Sequence, residues 1–273
     1  MATEFSEYLA DKILTALAHA GTMAVPTELT IKIMTTMPAR DGTGGVEATY
    51  TSYAAQTVAC GAASDWEAPA LDTDHVATSN HLAITFPENT GSAQTAAGFA
   101  IYDGANLLFL DAEVFEIENG YQPIIAANDL VIGFNADADA AYDWQLEIFN
   151  AIFANTAMAA KTSVDIEQCS TLPTKADVGE VEVAYTGYAA VTLACGAVSD
   201  FDAIDDEDSL RMIANTAAHD FGTKNTGASE DIVGYVARDN AGTLLVIATY
   251  ASTKTVETGT KMVIKADACH IRF

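Results

Sequence analysis

Apolar and polar residues alternate over short stretches along most of the chain. Leu29, Ile31 and Ile33 are separated by Thr30 and Lys32, and Val164 and Ile166 repeat the pattern. A period of two puts one strand face in a core and the other in water. Further strands are predicted at YAAQTVACG (53–61), LAITF (82–86), GFAIYDGANLLFL (98–110) and LVIGF (130–134), with ACHIRF (268–273) closing the chain. Asp103-Gly104, and Asp239-Asn240 within GYVARDNAGTLLVI (234–247), are hairpin signals. Two stretches carry the helical period instead. Leu9, Ile13, Leu14 and Leu17 form a stripe on a helix expected over about 5–20, stopped by Gly21 and Pro26. Trp144, Ile148, Phe149 and Ile152 form a bulkier stripe, which predicts that the second helix packs deeper or against the first module. Many short strands without alternating helices predict a mainly β chain of antiparallel sandwich or barrel-like modules, each preceded by an amphipathic helix.

The pattern occurs twice. YTSYAAQTVACG (50–61) returns as YTGYAAVTLACG (185–196), so Tyr50 falls on Tyr185, an offset of 135 residues. The same offset carries Pro38 to Pro173, Glu47 to Glu182, Asp65 to Asp200, Trp66 to Phe201, Asn80 to Asn215 and Phe86 to Phe221. Upstream, ILTALAHAGTM (13–23) lies over IFNAIFANTAM (148–158). A constant offset over that span marks a tandem duplication. The expected organisation is a first module over 1–134, a short acidic linker NADADAA at 135–141, and a duplicate module over 142–273. One position departs: Ile84 becomes His219, so either that edge is more exposed in the second copy or the histidine has a polar partner; a satisfied structural histidine is the expected reading.

Composition narrows the function. Twelve Lys and Arg stand against 38 Asp and Glu, a net charge of −26, which disfavours nucleic acid as a partner. Half the residues are hydrophobic and 18% are charged, so the acidity comes from scarce basic residues and does not signal disorder. It fits either a high-salt setting or an outward shell that stays soluble at high copy number. No apolar run reaches the ~18–20 residues that span a bilayer, so membrane insertion is not expected. The acidic N-terminus lacks the basic start of a secretory signal, and the expectation is a soluble protein made inside the cell. Of the four cysteines, Cys60 and Cys195 are one repeated position and are expected to act as small core residues. Cys169 and Cys269 leave room for a single bridge, and no cysteine has zinc-ligand spacing.

Candidate chemistry is sparse. The chain has no nucleophile elbow, phosphate loop, dinucleotide fingerprint or HExxH motif, so no enzyme activity and no cofactor are expected. Asp205, Asp206 and Asp208 in DFDAIDDEDSL (200–210) are weak metal candidates without the calcium-loop pattern, and Asp72, Asp74, His75 and His81 are others; a solvated acidic loop is the default. Candidate binding residues are aromatic: Trp66, Phe201, Tyr50 and Tyr185. Trp66 and Phe201, in the loop after the repeated strand, are the better contact candidates, while Tyr53 and Tyr188 are expected to serve the core.

The order of segments carries a resemblance. A helix, a strand ending TTMP, then MPARDGTGGVE (37–47), YAAQTV (53–58), ITFP (84–87), GFAIYDGANLL (98–108) and a closing strand resemble a family of small phage tail-fibre-like virion proteins. The likeness covers most of 5–134 and runs more weakly over 144–273. The family's usual Arg after Tyr-Ala is Ala55 here, and again Ala190. The second copy has TKADVGEVE (174–182) for the glycine-rich loop and Gly222 for Pro87. The resemblance implies a non-enzymatic structural protein of a tailed virus particle, either a capsid decoration or head spike, or a tail-fibre component. The alternative it leaves open is a glycan- or receptor-binding adsorption module. Implied partners are major capsid or tail subunits, further copies of the chain, with a trimer giving six modules, and a host-cell glycan.

Overall fold

The computed structural model describes residues 4–19, 21–23, 25–61, 65–134, 140–196, 199–207 and 210–272. The chain is mainly β, with helices α1 (Glu7–Ala18) and α2 (Tyr142–Phe153), and its strands pair antiparallel. No sheet among the described residues closes into a barrel. Contacts divide the chain into two compact units. The first comprises Met1–Lys12, Met23–Ala136 and Leu146–Met158; the second comprises Ile13–Thr22, Asp137–Gln145 and Ala159–Phe273. Each unit therefore draws helical residues from both repeats.

In the first unit the principal sheet runs Glu4–Phe5, Asn106–Asp111, Gly98–Asp103, Glu28–Thr36, Val46–Glu47, with Gln56–Ala59 also pairing to Glu28–Thr36. Leu29, Ile31 and Ile33 are buried and Thr30 and Lys32 half-buried, as the alternation requires. The hairpin turns at Asp103-Gly104, where Gly104 takes a φ of 57°. Phe5 joins the sheet opposite Phe109, so α1 starts two residues later than its apolar stripe suggests. Ser6 is the reason. Its Oγ accepts the Leu9 N–H at 3.1 Å and donates to the Leu107 carbonyl at 2.5 Å, capping the helix and tying the preceding residue to the strand. Phe149 and Phe153 of α2 complete this unit's core. Phe149 lies 4.9 Å from Phe134 between ring centroids, and Phe153 lies 5.7 Å from Phe109 and 4.8 Å from Trp66. The α2 C-terminus is satisfied here as well: the Phe153 carbonyl accepts the Gly61 N–H at 2.9 Å.

The second unit repeats the plan. Its principal sheet runs Val181–Glu182, Ser163–Thr171, Glu230–Asp239, Leu244–Val256, with Val191–Ala194 also on Ser163–Thr171. The Ala18 carbonyl at the end of α1 accepts the Gly196 N–H at 2.8 Å, the counterpart of the Gly61 bond. Of the expected linker, 135–139 lie outside the described residues. Ala140 and Ala141 are buried at the sheet edge, Ala140 bridging to Val246 and the Ala141 N–H donating to the Leu245 carbonyl at 2.8 Å. All four cysteines are free, and burial pushes the Cys60 thiol up to about 12.

One buried asparagine anchors each unit. Asn80 Nδ2 donates to the carbonyls of Leu82 and Ala126 at 2.8 and 2.7 Å, and its Oδ1 accepts the Leu130 N–H at 2.9 Å. Asn215 repeats this with Ala217, Lys265 and Cys269. Two chain segments, 80–82 and 126–130, are thus tied together by one amide, which explains why this residue keeps its identity across the duplication. Asn80→Ala is expected to lower the unfolding free energy by about 2–4 kcal/mol, because it strands two buried carbonyls and one N–H. Urea titration of the full chain measures this, and a loss under about 0.5 kcal/mol would contradict the anchoring role.

Candidate functional site

The fold places the four candidate aromatics inside their units. Trp66 bridges to Asn80 and packs on Phe153; Phe201 bridges to Asn215; both are buried. Tyr50 Oη donates to the Pro87 carbonyl at 3.0 Å, and Tyr185 Oη to the Gly222 carbonyl at 3.1 Å. Each meets its neighbour edge-on, Tyr50 with Tyr53 at 5.2 Å and Tyr185 with Tyr188 at 5.4 Å. The Tyr53 and Tyr188 hydroxyls accept the N–H groups of Ile33 and Gln168, and burial raises both phenols. These pairs pin the repeated YTxYAA segment onto the long central strand of each unit. None of Trp66, Phe201, Tyr50 and Tyr185 offers a ring face to solvent, because each segment turns inward to reach the asparagine or carbonyl it serves.

The acidic candidates do not converge. Asp205 is exposed on a strand opposite Met212; the Asp206 backbone pairs with Arg211; Asp208 lies outside the described residues. His75 meets Asp74 at 2.9 Å and His81 meets Glu67 at 2.5 Å as separate pairs. No group of three metal-ligating side chains occurs among the described residues. The expected polar partner of His219 is missing for one ring atom: Nε2 is buried without a hydrogen bond, among Ile166, Leu193 and Ile264.

The structure instead presents a site that residue patterns left unmarked. In the second unit Glu230–Asp239 pairs with Leu244–Val256, but the register jumps between Ile232, opposite Lys254, and Gly234, opposite Thr249, so residues 250–253 have no partner in this ladder. The first unit is interrupted at the matching place. Gly98–Asp103 pairs with Asn106–Asp111, a separate pair forms from Gln94–Ala96 and Phe115–Ile117, and residues 112–114 leave the sheet between them. Gly98, with φ 149°, and Gly234 both stand where a Cβ would collide with the carbonyl opposite, that of Asp111 and of Ala248. A cavity of about 340 Å³ lies beside Gly98–Asp103 within the first unit. Phe99 and Asp111 are cross-strand partners, so their side chains share a face and both line the cavity. Phe115 stacks on Phe99 at 5.3 Å to form an aromatic wall, and Tyr121 and Ile124 stand at the mouth. Asp111 is 5% exposed. Burial raises its pKa, Glu113 adds to the rise and the positive charge of the amino terminus opposes it. Glu113 and Asp129 add two exposed carboxylates.

The chain is thus built from two β units of one plan. The chain belongs to the Gp80 family, described as podophage GP4 fiber I protein gp80, whose model matches residues 4–133 and again 141–272. It is a fibre protein and a structural component of the virion, and as such associates with other virion components. No curated protein matches the chain. Among the described residues no helix is long and apolar enough to cross a membrane.

Proposed function

We propose that this chain is a tail-associated fibre component, which holds neighbouring virion proteins through its paired β units, and not a capsid decoration or head spike. The match of both repeats to a fibre family carries this reading. Duplication supports it, since two tethered contact surfaces bind at high effective concentration. Three copies would supply six units, the count a six-fold position needs. Stacking on a host glycan requires exposed ring faces, and Trp66, Phe201, Tyr50 and Tyr185 are buried, so adsorption through these rings is not favoured. The test is gold labelling of the chain on intact particles. Label confined to the tail is the expected result, and label spread over the head would overturn the proposal. Native mass measurement of the purified protein tests the trimer, which a monomer at high concentration would refute.

A further inference from the structure

We propose that the second unit is the yielding half of the chain, opening by local unfolding under native conditions while the first unit stays closed. Four core positions carry this. Gln168 and Tyr235 face each other across the sheet where the first unit has Ile33 and Phe99. His219, opposite Ile264, stands where Ile84 lies opposite Ile125. Cys269 gives its N–H to Asn215 as Leu130 does to Asn80, so it takes the place of Leu130. Ile33, Phe99, Ile84 and Leu130 are all buried, and none has a polar side-chain atom. At each of the four, the second unit brings a polar atom into its core.

Some of these atoms find partners. Gln168 Oε1 accepts the Tyr250 hydroxyl at 2.9 Å, and the Tyr235 hydroxyl bonds the Cys269 side chain. Two do not: Gln168 Nε2 and His219 Nε2 are buried without a hydrogen bond. The space that His219 lines with Ile166, Leu193 and Ile264 has no room for a water molecule. A stranded group costs the folded state and costs nothing once its segment opens to water, so each one moves the local equilibrium toward the open form. The first unit carries a cost of its own in buried Asp111, which the positive amino terminus partly offsets, but it strands no amide or imidazole among the described residues. Because Ile13–Thr22 belongs to the second unit, opening should release that part of α1 as well. In a tethered pair, such an inequality lets one unit keep its contact while the other rearranges. It is a property of the two cores and holds wherever the chain sits in the particle.

The test is hydrogen exchange at single-amide resolution on the isotope-labelled full chain, at neutral pH without denaturant. The best-protected amides of Ser163–Thr171 and Glu230–Asp239 are expected to exchange on the order of ten-fold faster than those of Glu28–Thr36 and Gly98–Asp103, after correction for intrinsic rates. Residues 13–18 of α1 should exchange with the faster group. Giving each stranded position its first-unit residue should narrow the gap. His219→Ile should slow the second unit several-fold by itself, and Gln168→Ile with Tyr250→Phe, which leaves no hydroxyl without its acceptor, by a similar factor. Equal protection in the two units, or a less protected first unit, would overturn the proposal whatever the variants do. A gap that both variants leave unchanged would overturn it too, since the stranded groups would then not be its cause. The wild-type comparison decides even where a variant does not fold.

Discussion

Phe149→Ala is expected to destabilise the first unit by about 3–5 kcal/mol, although Phe149 belongs to the second sequence repeat. Phe149 is fully buried, with Phe5, Phe109, Phe134 and Phe153 all within 6.4 Å between ring centroids. Removing the ring leaves a void that this many rigid neighbours cannot all relax into. Its repeat counterpart, Leu14, is buried too, but lies in the stretch Ile13–Thr22 that contributes to the second unit. The pair of substitutions therefore gives a crossed result. In hydrogen exchange on the full chain, Phe149→Ala should speed exchange of the strand Gly98–Asp103, and Leu14→Ala that of Ser163–Thr171. Uncrossed effects, each substitution loosening the strands of its own repeat, would refute this assignment of helical residues.

Lys161→Met should cost about 3–5 kcal/mol through a different mechanism. Lys161 Nζ meets Asp239 Oδ2 at 2.8 Å, and both side chains are almost fully buried. Asp239 also accepts the N–H groups of Ala241 and Thr243 at 2.9 Å each, which shapes the second hairpin turn. Burial opposes ionisation of Asp239, but Lys161 and these N–H groups outweigh it and hold the carboxyl below its ordinary value. A carboxyl with a depressed folded pKa contributes stability at neutral pH that is lost as pH falls through the ordinary carboxylate range toward the folded value. The variant should thus be weaker at pH 7 and lose less on acidification. Equilibrium unfolding at pH 7 and pH 3 checks both parts; an unchanged pH 7 stability would rule out a net role for the pair. The double variant Lys161→Met with Asp239→Leu should recover part of the loss, since no buried charge is then stranded.

Much of this architecture could be read from residue order. Alternation at Leu29, Ile31 and Ile33 located the central strand, Asp103-Gly104 located the hairpin, and the constant offset located the duplication. The start of α1 was missed because Phe5 continues the helical stripe in composition, while the capping hydroxyl of Ser6 ends the helix before it. A hydrophobic stripe also states only that a helix face will be buried. It cannot state which repeat supplies the partner, and the bulk of Trp144, Ile148 and Phe149 was the sole hint. The aromatic candidates show a similar limit. Trp66 and Phe201 sit in loops by pattern, and only tertiary structure decides whether a loop ring faces water or a buried asparagine. For the cavity a signal did exist: NLLFLDA (106–112) ends an apolar strand on a carboxylate, where TLLVIAT (243–249) continues with alanine and threonine. A charge that interrupts such a run in one repeat and not in the other marks a position freed from the demands of the fold.

The shared allocation of helical residues also sets an order of events at the ribosome. A domain whose residues are contiguous can close as soon as its last strand leaves the exit tunnel. Here the first unit ends with Leu146–Met158, so its core cannot seal when residue 134 emerges. The nascent sheet must wait for α2, with the faces of Phe5, Phe109 and Phe134 unfilled until Phe149 and Phe153 arrive. That interval, about a second or two at ordinary elongation rates, is when the polypeptide is most exposed to aggregation. A synonymous-codon pause placed where residue 134 has left the tunnel and residue 146 has not should accordingly lower the soluble yield, while a pause placed once residue 158 has emerged should leave it unchanged.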